Sequence, residues 1–205
     1  MNSNSNRLSR AQRQQIEIAA KAGDSVAMCQ MGNLSINYND AFYWYHKAAD
    51  AGSVEGIYRL GYSYETGSGC SMDKNAALEC YNILISHRKQ LSPQSQIWLK
   101  ESYYRSGVIY DKKLRANCKT NKIFNQISSL TPLEYYISAT DLGHKKAALA
   151  CAELYKFVGN MLKNNIKIMT HEFGGSPHKY KSYLDSAKKN YAEAKKYEKL
   201  SKKLK

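Results

Sequence analysis

Apolar and small residues recur along most of this chain at intervals of three and four, the spacing of one face of a helix. From about Arg10, "RAQRQQIEIAAKAG" puts Ile16, Ala19 and Ala20 on one stripe and stops at Gly23. Asp24 or Ser25 then caps a second helix, "VAMCQMGNLS", and Asn37 to Asp40 form the next break. A sharper copy follows. Ala41, Trp44, Tyr45, Ala48 and Ala49 share a face, Gly52 ends that helix, and Ser53 caps the next. There Gly56, Leu60, Gly61 and Tyr64 share one side before Gly67 and Gly69 end it. Gly23 to Gly52 and Gly32 to Gly61 both span 29 residues, the mark of a helix-hairpin repeat. The small residues fall where two antiparallel helices cross. One hairpin alone cannot bury its apolar stripe, so copies stack.

Later copies are more degraded. Asp73 to Ser86 reads as a first helix, with Tyr81 where Tyr45 stood. "SQIWLKESYYRSGVIYDKK" reads as its second helix and exit, with Tyr104 to Gly107 matching Tyr64 to Gly67 and Asp111 matching Asp73. The insert "CKTNKIFNQISSL" has room for an extra helix. A fourth copy opens with Thr131 as cap and Pro132 in the first turn, passes its turn at Gly143 and runs to Tyr155. Past Gly159 the periodicity blurs, and "HEFGGSPH" reads as a loop. A long helix then carries a stripe of Tyr180, Tyr183, Leu184, Ala187, Tyr191, Ala194 and Leu200, suited to capping the open end of a stack. The expected organisation is a flexible 1–9, a repeat region over 10–158, a loop or short helix over 159–176, and a basic C-terminal helix over 177–205. The fold class expected is all-α: a solenoid of about four helix-turn-helix repeats with a C-terminal capping helix.

The stretch "AFYWYHKAADAGSVEGIYRLGYSYETGSGCSMD" resembles the Sel-one-like repeat, a relative of the tetratricopeptide repeat. The matching positions include Trp44, Tyr45, Lys47, Ala48, Ala49, Gly52, Leu60, Gly61, Tyr64, Gly67, Gly69 and Asp73; Gly56 departs from the pattern, which has Ala. Ile16 to Leu34 and Thr131 to Tyr155 match less closely. Between Asp73 and Asp111 the match is weak, with Lys100-Glu101 standing where Leu-Gly belongs. The resemblance implies a right-handed superhelix that binds other proteins as a scaffold, an adaptor or, in bacteria, a factor acting on host or rival proteins. It implies no catalysis. The shared residues, among them Gly23, Ala48, Gly52, Gly61, Gly67 and Gly143, are packing and turn residues and name no partner.

Composition adds a direction. The chain of 205 residues has a formal charge of +14, which favours an acidic protein face, nucleic acid or an anionic membrane. Much of that charge follows His178. There are 17 tyrosines against 4 phenylalanines, rings that can pack in a core while the hydroxyl finds a polar partner. The five cysteines form no CxxC, which fits free, mostly buried thiols in a reducing compartment. "MNSNSNRLSRAQRQQ" lacks the apolar segment of a cleaved signal peptide, so the expected location is the cytoplasm, with signal-independent secretion left open.

Chemical motifs fail one by one. "HEFGG" at His171 begins like a zinc-protease helix, but Gly175 stands where the second histidine must be. Cys70, Cys80 and His87 are spread over separate elements, unlike the close ligand pairs of zinc sites. His46, His87 and His144 stand beside no cysteine in a nucleophile signature. No metal, cofactor or catalytic residue is expected, and the protein is read as not an enzyme.

Two surfaces remain. In stacked hairpins the first helices line the concave face, and their outer positions point into it. These are Gln14, Glu17 and Lys21; Tyr43, His46 and Asp50; Glu79, Asn82 and Ser86; and Glu134, Ile137 and Asp141. The partner-binding set drawn from them is Glu17, Tyr43, His46, Asp50, Asn82, Glu134, Ile137 and Asp141, and the expected ligand is one specific protein with an acidic surface. The alternative is RNA or another polyanion, bound through Lys188, Lys189, Lys195 and Lys196 on the Lys/Tyr-rich C-terminal helix. A concave-face partner could be assembled by the chain, as by an adaptor, or blocked by it, as by an inhibitor or immunity protein.

Overall fold

Short polar side chains set the helix starts. A computed structural model of the chain describes residues 8–118, 131–173 and 181–204. Among them every regular element is helical. Ser9 caps α1 (Arg10–Lys21), its hydroxyl accepting from the Gln12 amide while the Gln12 side chain returns a bond to the Ser9 amide. Asp24 caps α2 (Ser25–Leu34), Asn37 caps α3 (Tyr38–Asp50), Ser53 caps α4 (Val54–Thr66) and Asp73 caps α5 (Lys74–Ser86). After one 3-10 turn come α6 (Gln96–Cys118), α7 (Thr131–Asp141), α8 (Lys145–Phe173) and α9 (Lys181–Lys203). The turns α1–α2, α3–α4 and α7–α8 each close on a glycine with φ between 78° and 101° (Gly23, Gly52 and Gly143), a backbone region that costs other residues energy.

The chain forms two compact units, Met1–Ser102 and Tyr103–Lys205, divided inside α6. In the first unit α1 to α5 pack in sequence, each helix against the next. Ala48, Ala77 and Tyr81 are buried there, and Tyr58 stands between the rings of Tyr81 and Trp98 at 6.0 and 5.1 Å. In the second unit α8 packs on α7 and, most extensively, on α9, around Tyr136, Ala139, Cys151, Leu154, Ala187 and Ala194.

One contact recurs four times among the described residues. A glycine on one helix leaves room for a tyrosine ring on a later one. A Cβ on Gly32 would lie 2.4 Å from the Tyr45 ring, on Gly61 2.9 Å from that of Tyr81, on Gly107 2.6 Å from that of Tyr136, and on Gly159 3.2 Å from that of Tyr191. Each phenol then bonds back to the glycine's own helix, one or four residues further on. Tyr45 donates to Asn33 at 2.8 Å, Tyr81 to Glu65 at 2.9 Å, Tyr136 to Asp111 at 3.4 Å and Tyr191 to Asn160 at 2.5 Å. A ring thus closes the apolar crossing while its hydroxyl meets a polar partner, which explains the excess of tyrosine over phenylalanine.

These pairs correct the expected register. Gly107 is not an exit glycine like Gly67; it lies mid-helix and meets Tyr136 as Gly61 meets Tyr81. Asp111 correspondingly accepts from Tyr136 and plays the part of Glu65 rather than that of the cap Asp73. The repeat was never at Lys100-Glu101, because α6 is shifted by the long link before it. Two boundaries also change. The break expected at Asn37 to Asp40 is shorter, since the Asn37 side chain caps a helix beginning at Tyr38. The loop or short helix expected over 159–176 is helix through Phe173: Gly159 lies inside α8, kept small by Tyr191 rather than placed as a stop. The insert 119–130 and residues 174–180, with most of the "HEFGGSPH" loop and Tyr180, lie outside the described residues, as do the side chains of Tyr183 and Leu184.

Gly56, the departure from the repeat pattern, has its own reason. A Cβ there would lie 2.7 Å from Ala48 Cβ and 2.8 Å from the Ala48 carbonyl carbon and the Ala49 nitrogen. At this crossing α4 meets the backbone of α3, where a methyl group has no space.

Candidate functional site

In the first unit the outer positions of α1, α3 and α5 are held by short local contacts that leave them facing solvent. Glu17 takes the Lys21 ammonium at 2.6 Å. His46 Nδ1 lies 3.0 Å from Asp50 Oδ2, and the His46 ring meets Phe42 edge-on at 6.2 Å. Tyr43 is 53% exposed, braced by Trp44 at 5.3 Å and by the Lys47 ammonium 5.9 Å from its ring centre. Asn82 and Glu79 are exposed on α5, and Ser86 turns its hydroxyl back to the Ile83 carbonyl. The face therefore carries a preoriented phenol, an imidazole and paired charges of both signs.

Sequence reasoning missed two members of this face. Ile18 and Ile83 are 61% and 47% exposed. Both occupy the position held in α3 by Lys47: Ile18 lies 29 residues before Lys47, and Ile83 follows Tyr81 as Lys47 follows Tyr45, by two. Their signal was available. Each is an apolar residue on the polar side of an amphipathic helix. Tyr43 between two exposed isoleucines is the kind of anchor that interfaces favour.

In the second unit Glu134 and Asp141 are exposed on α7. Ile137 is half-buried against the core of that unit, where its aliphatic chain adds to the packing of Leu133 and Tyr136. On α9, Lys188, Lys189, Lys195 and Lys196 are all exposed. Three acids on that helix are already engaged: Asp185 with Lys188 at 3.6 Å, Glu193 with Lys196 at 3.5 Å, and Glu198 with Lys156 of α8. The hydrogen bond from Lys156 holds the Glu198 carboxyl below its usual range. Ala187, Ala194 and Tyr197 are buried on the opposite side of α9, so the helix docks on α8.

The thiols have a structural explanation. Cys29, Cys80 and Cys151 are buried, as the sequence suggests. Burial pushes Cys80 up to about 11 and Cys151 up to about 12, and raises Cys29 and Cys70 as well. Such thiols stay protonated near neutrality and are poor nucleophiles. Among the described residues no group of three or more His, Cys, Asp or Glu is arranged to hold a metal ion, and no helix is long and apolar enough to cross a membrane.

Two-helix units with small residues at their crossings define an all-α repeat protein of the solenoid class. Residues 19–53 and 54–85, the segments holding α2–α3 and α4–α5, each match the Sel1 repeat. The chain thus carries two Sel1 repeats in its N-terminal unit. Such repeats generally mediate protein–protein interaction and belong to a non-enzymatic scaffold type. The crystal structure of a Sel1 repeat protein from Oxalobacter formigenes is similar at 21% identity over 85% of this chain, with a TM-score of 0.44. The alignment spans 61% of that protein's length. No curated protein matches the chain.

Proposed function

We propose that the protein binds one specific partner protein through the first-helix face of its N-terminal unit. Tyr43 is the central anchor, with His46, Asp50, Glu17 and Asn82 supplying polar contacts around it. The observation that carries this reading is the set Ile18, Tyr43 and Ile83, apolar side chains exposed on α1, α3 and α5 beside the polar positions of the same helices. Glu134 and Asp141 of the second unit offer a further polar surface. The action is steric: a preformed surface either brings the partner into an assembly or covers its working face, as an adaptor or an inhibitor does. A cytoplasmic location is part of this proposal.

The second reading is polyanion binding by α9, favoured by the exposed stripe of Lys195, Lys196, Lys199 and Lys203 around Ala192 and Leu200. Salt separates the two, because phosphate contacts release counterions and weaken steeply as salt rises. The tagged chain is used for capture from nuclease-treated lysate at moderate and high salt. The expected result is one stoichiometric protein that survives high salt, is lost with Tyr43→Ala/His46→Ala and is kept when Lys188, Lys189, Lys195 and Lys196 are changed to Gln. Retention by the first variant and loss with the second would overturn the proposal in favour of α9.

A further inference from the structure

A cavity of about 190 Å³ opens among α2, α3 and α4, away from the outer side of the first helices. Gly32, Ala41, Tyr45, Tyr38, Arg59 and Tyr62 are among the residues that line it. Pockets for drug-sized ligands and cofactors run from roughly 300 Å³ upward, so this one suits a single side chain. Among the described residues Arg59 is the one charged residue in its lining.

Arg59 is fixed in place. Its Nε donates to Glu55 Oε1 at 3.3 Å, and its guanidinium lies 5.1 Å from the centre of the Trp98 ring. Glu55 Oε1 also accepts from Asn33 Nδ2 at 3.3 Å, and Asn33 Oδ1 takes the Tyr45 hydroxyl at 2.8 Å. A chain of bonds from Tyr45 through Asn33 and Glu55 thus orients the guanidinium. It occupies Nε alone. Among the described residues the remaining guanidinium N–H groups have no acceptor, and neither does the Tyr38 hydroxyl at the rim. A planar guanidinium with an open paired edge matches a carboxylate bidentately, and orienting it beforehand removes part of the cost of binding.

We infer that this cavity is a carboxylate pocket that receives an acidic side chain of the partner. The +14 charge of the chain draws such partners to it. That the carboxylate comes from a protein rests on the protein-binding reading above; the chemistry of the pocket does not. Glu55 opposes a second carboxylate nearby, so one isolated contact should bind weakly, in the millimolar range.

The test is a titration of the full chain, followed by backbone amide NMR, with N-acetyl-glutamate α-amide, whose one carboxylate is on the side chain. Saturable shifts are expected at Asn33, Tyr38, Arg59 and Ser63, and none with the neutral N-acetyl-glutamine amide. Arg59→Gln should weaken the response at least about tenfold, the loss expected for a charge-assisted bidentate contact. Glu55→Gln keeps an acceptor for Asn33 and Arg59 and removes the opposing charge, so it should tighten binding severalfold. That variant keeps the inference falsifiable even if Arg59→Gln unfolds. Equal shifts from the neutral probe, shifts confined to the α9 lysines, or no tightening with Glu55→Gln would overturn it. Tighter binding of N-acetyl-glutamine with a free α-carboxylate would overturn the side-chain assignment. Because the probes are small molecules, these results stand apart from the capture of a partner by the first-helix face.

Discussion

Replacing Gly69 with alanine should cost about 3 kcal/mol and lower the melting temperature by roughly 6–12 °C. Two effects add. Gly69 has φ of 77°, where an alanine costs about 1–2 kcal/mol. Its Cβ would also fall 2.1 Å from the Tyr38 carbonyl oxygen and 2.5 Å from the carbonyl carbon, so the exit of α4 must lift off the start of α3, at about 1–3 kcal/mol. Against this, alanine narrows the unfolded ensemble by about 0.4–1 kcal/mol. Gly23 is the control. Its φ is 101°, but a Cβ there meets nothing within 4 Å, so Gly23→Ala should cost about 1 kcal/mol by conformation alone. Thermal melts of both variants check this. Equal losses would mean that the close approach of Gly69 to Tyr38 contributes nothing.

Tyr81→Ala should destabilise the protein by about 3–5 kcal/mol, the range for emptying a large aromatic site. Tyr81 is fully buried, and its hydroxyl bonds Glu65. The more telling result is its coupling to Gly61. A Cβ on Gly61 would press to 2.9 Å from both Cys80 Cβ and the Tyr81 ring. Gly61→Ala alone should therefore cost about 1–2 kcal/mol by overpacking. With Tyr81 already alanine, the ring's part of this overpacking is gone while that of Cys80 Cβ remains, and the methyl gains the helix preference of alanine over glycine, about 1 kcal/mol. The two changes should combine to less than their sum by more than about 1 kcal/mol, a coupling typical of residues in contact. Urea unfolding of the four proteins measures it, and additivity within about 0.5 kcal/mol would refute the glycine–tyrosine contact as the unit of this fold.

Much of the first unit was legible because its punctuation is local. Ser53, Asp73, Gly23, Gly52 and Gly67 act within a few residues of themselves, and short-range chemistry decides where each helix starts or stops. Where the reading went wrong, a glycine was taken as punctuation when a distant ring determined it. Gly107 and Gly159 lie inside helices because Tyr136 and Tyr191 pack on them from 29 and 32 residues away. Glycine that ends a helix and glycine that admits a neighbour look alike in a sequence; only the partner distinguishes them. The same contact shows α6–α7 and α8–α9 to be built like the two matched repeats, although their other repeat residues have drifted.

The candidate face was legible as a set of positions and not as a chemistry. Counting from the packing tyrosines finds Tyr43, His46 and Asn82 on the outer side. It also placed Ile137 there, whose chain is half-buried in the second unit, and it passed over Ile18 and Ile83. Periodicity assigns a side of the helix, while the width of the buried stripe depends on what packs against it. The Arg59 pocket was invisible for a related reason. Gly32, Tyr38 and Arg59 come from three helices, and no local motif joins them.

The most direct test of the account places a photo-crosslinking amino acid at position 43 or 83 in one set of proteins and at position 189 or 196 in another, then irradiates each in lysate. One discrete protein adduct from positions 43 and 83, unchanged by nuclease and high salt and missing from the α9 positions, is the result the account predicts. Adducts from positions 189 and 196 alone, removed by nuclease or salt, would contradict it and make α9 the working surface.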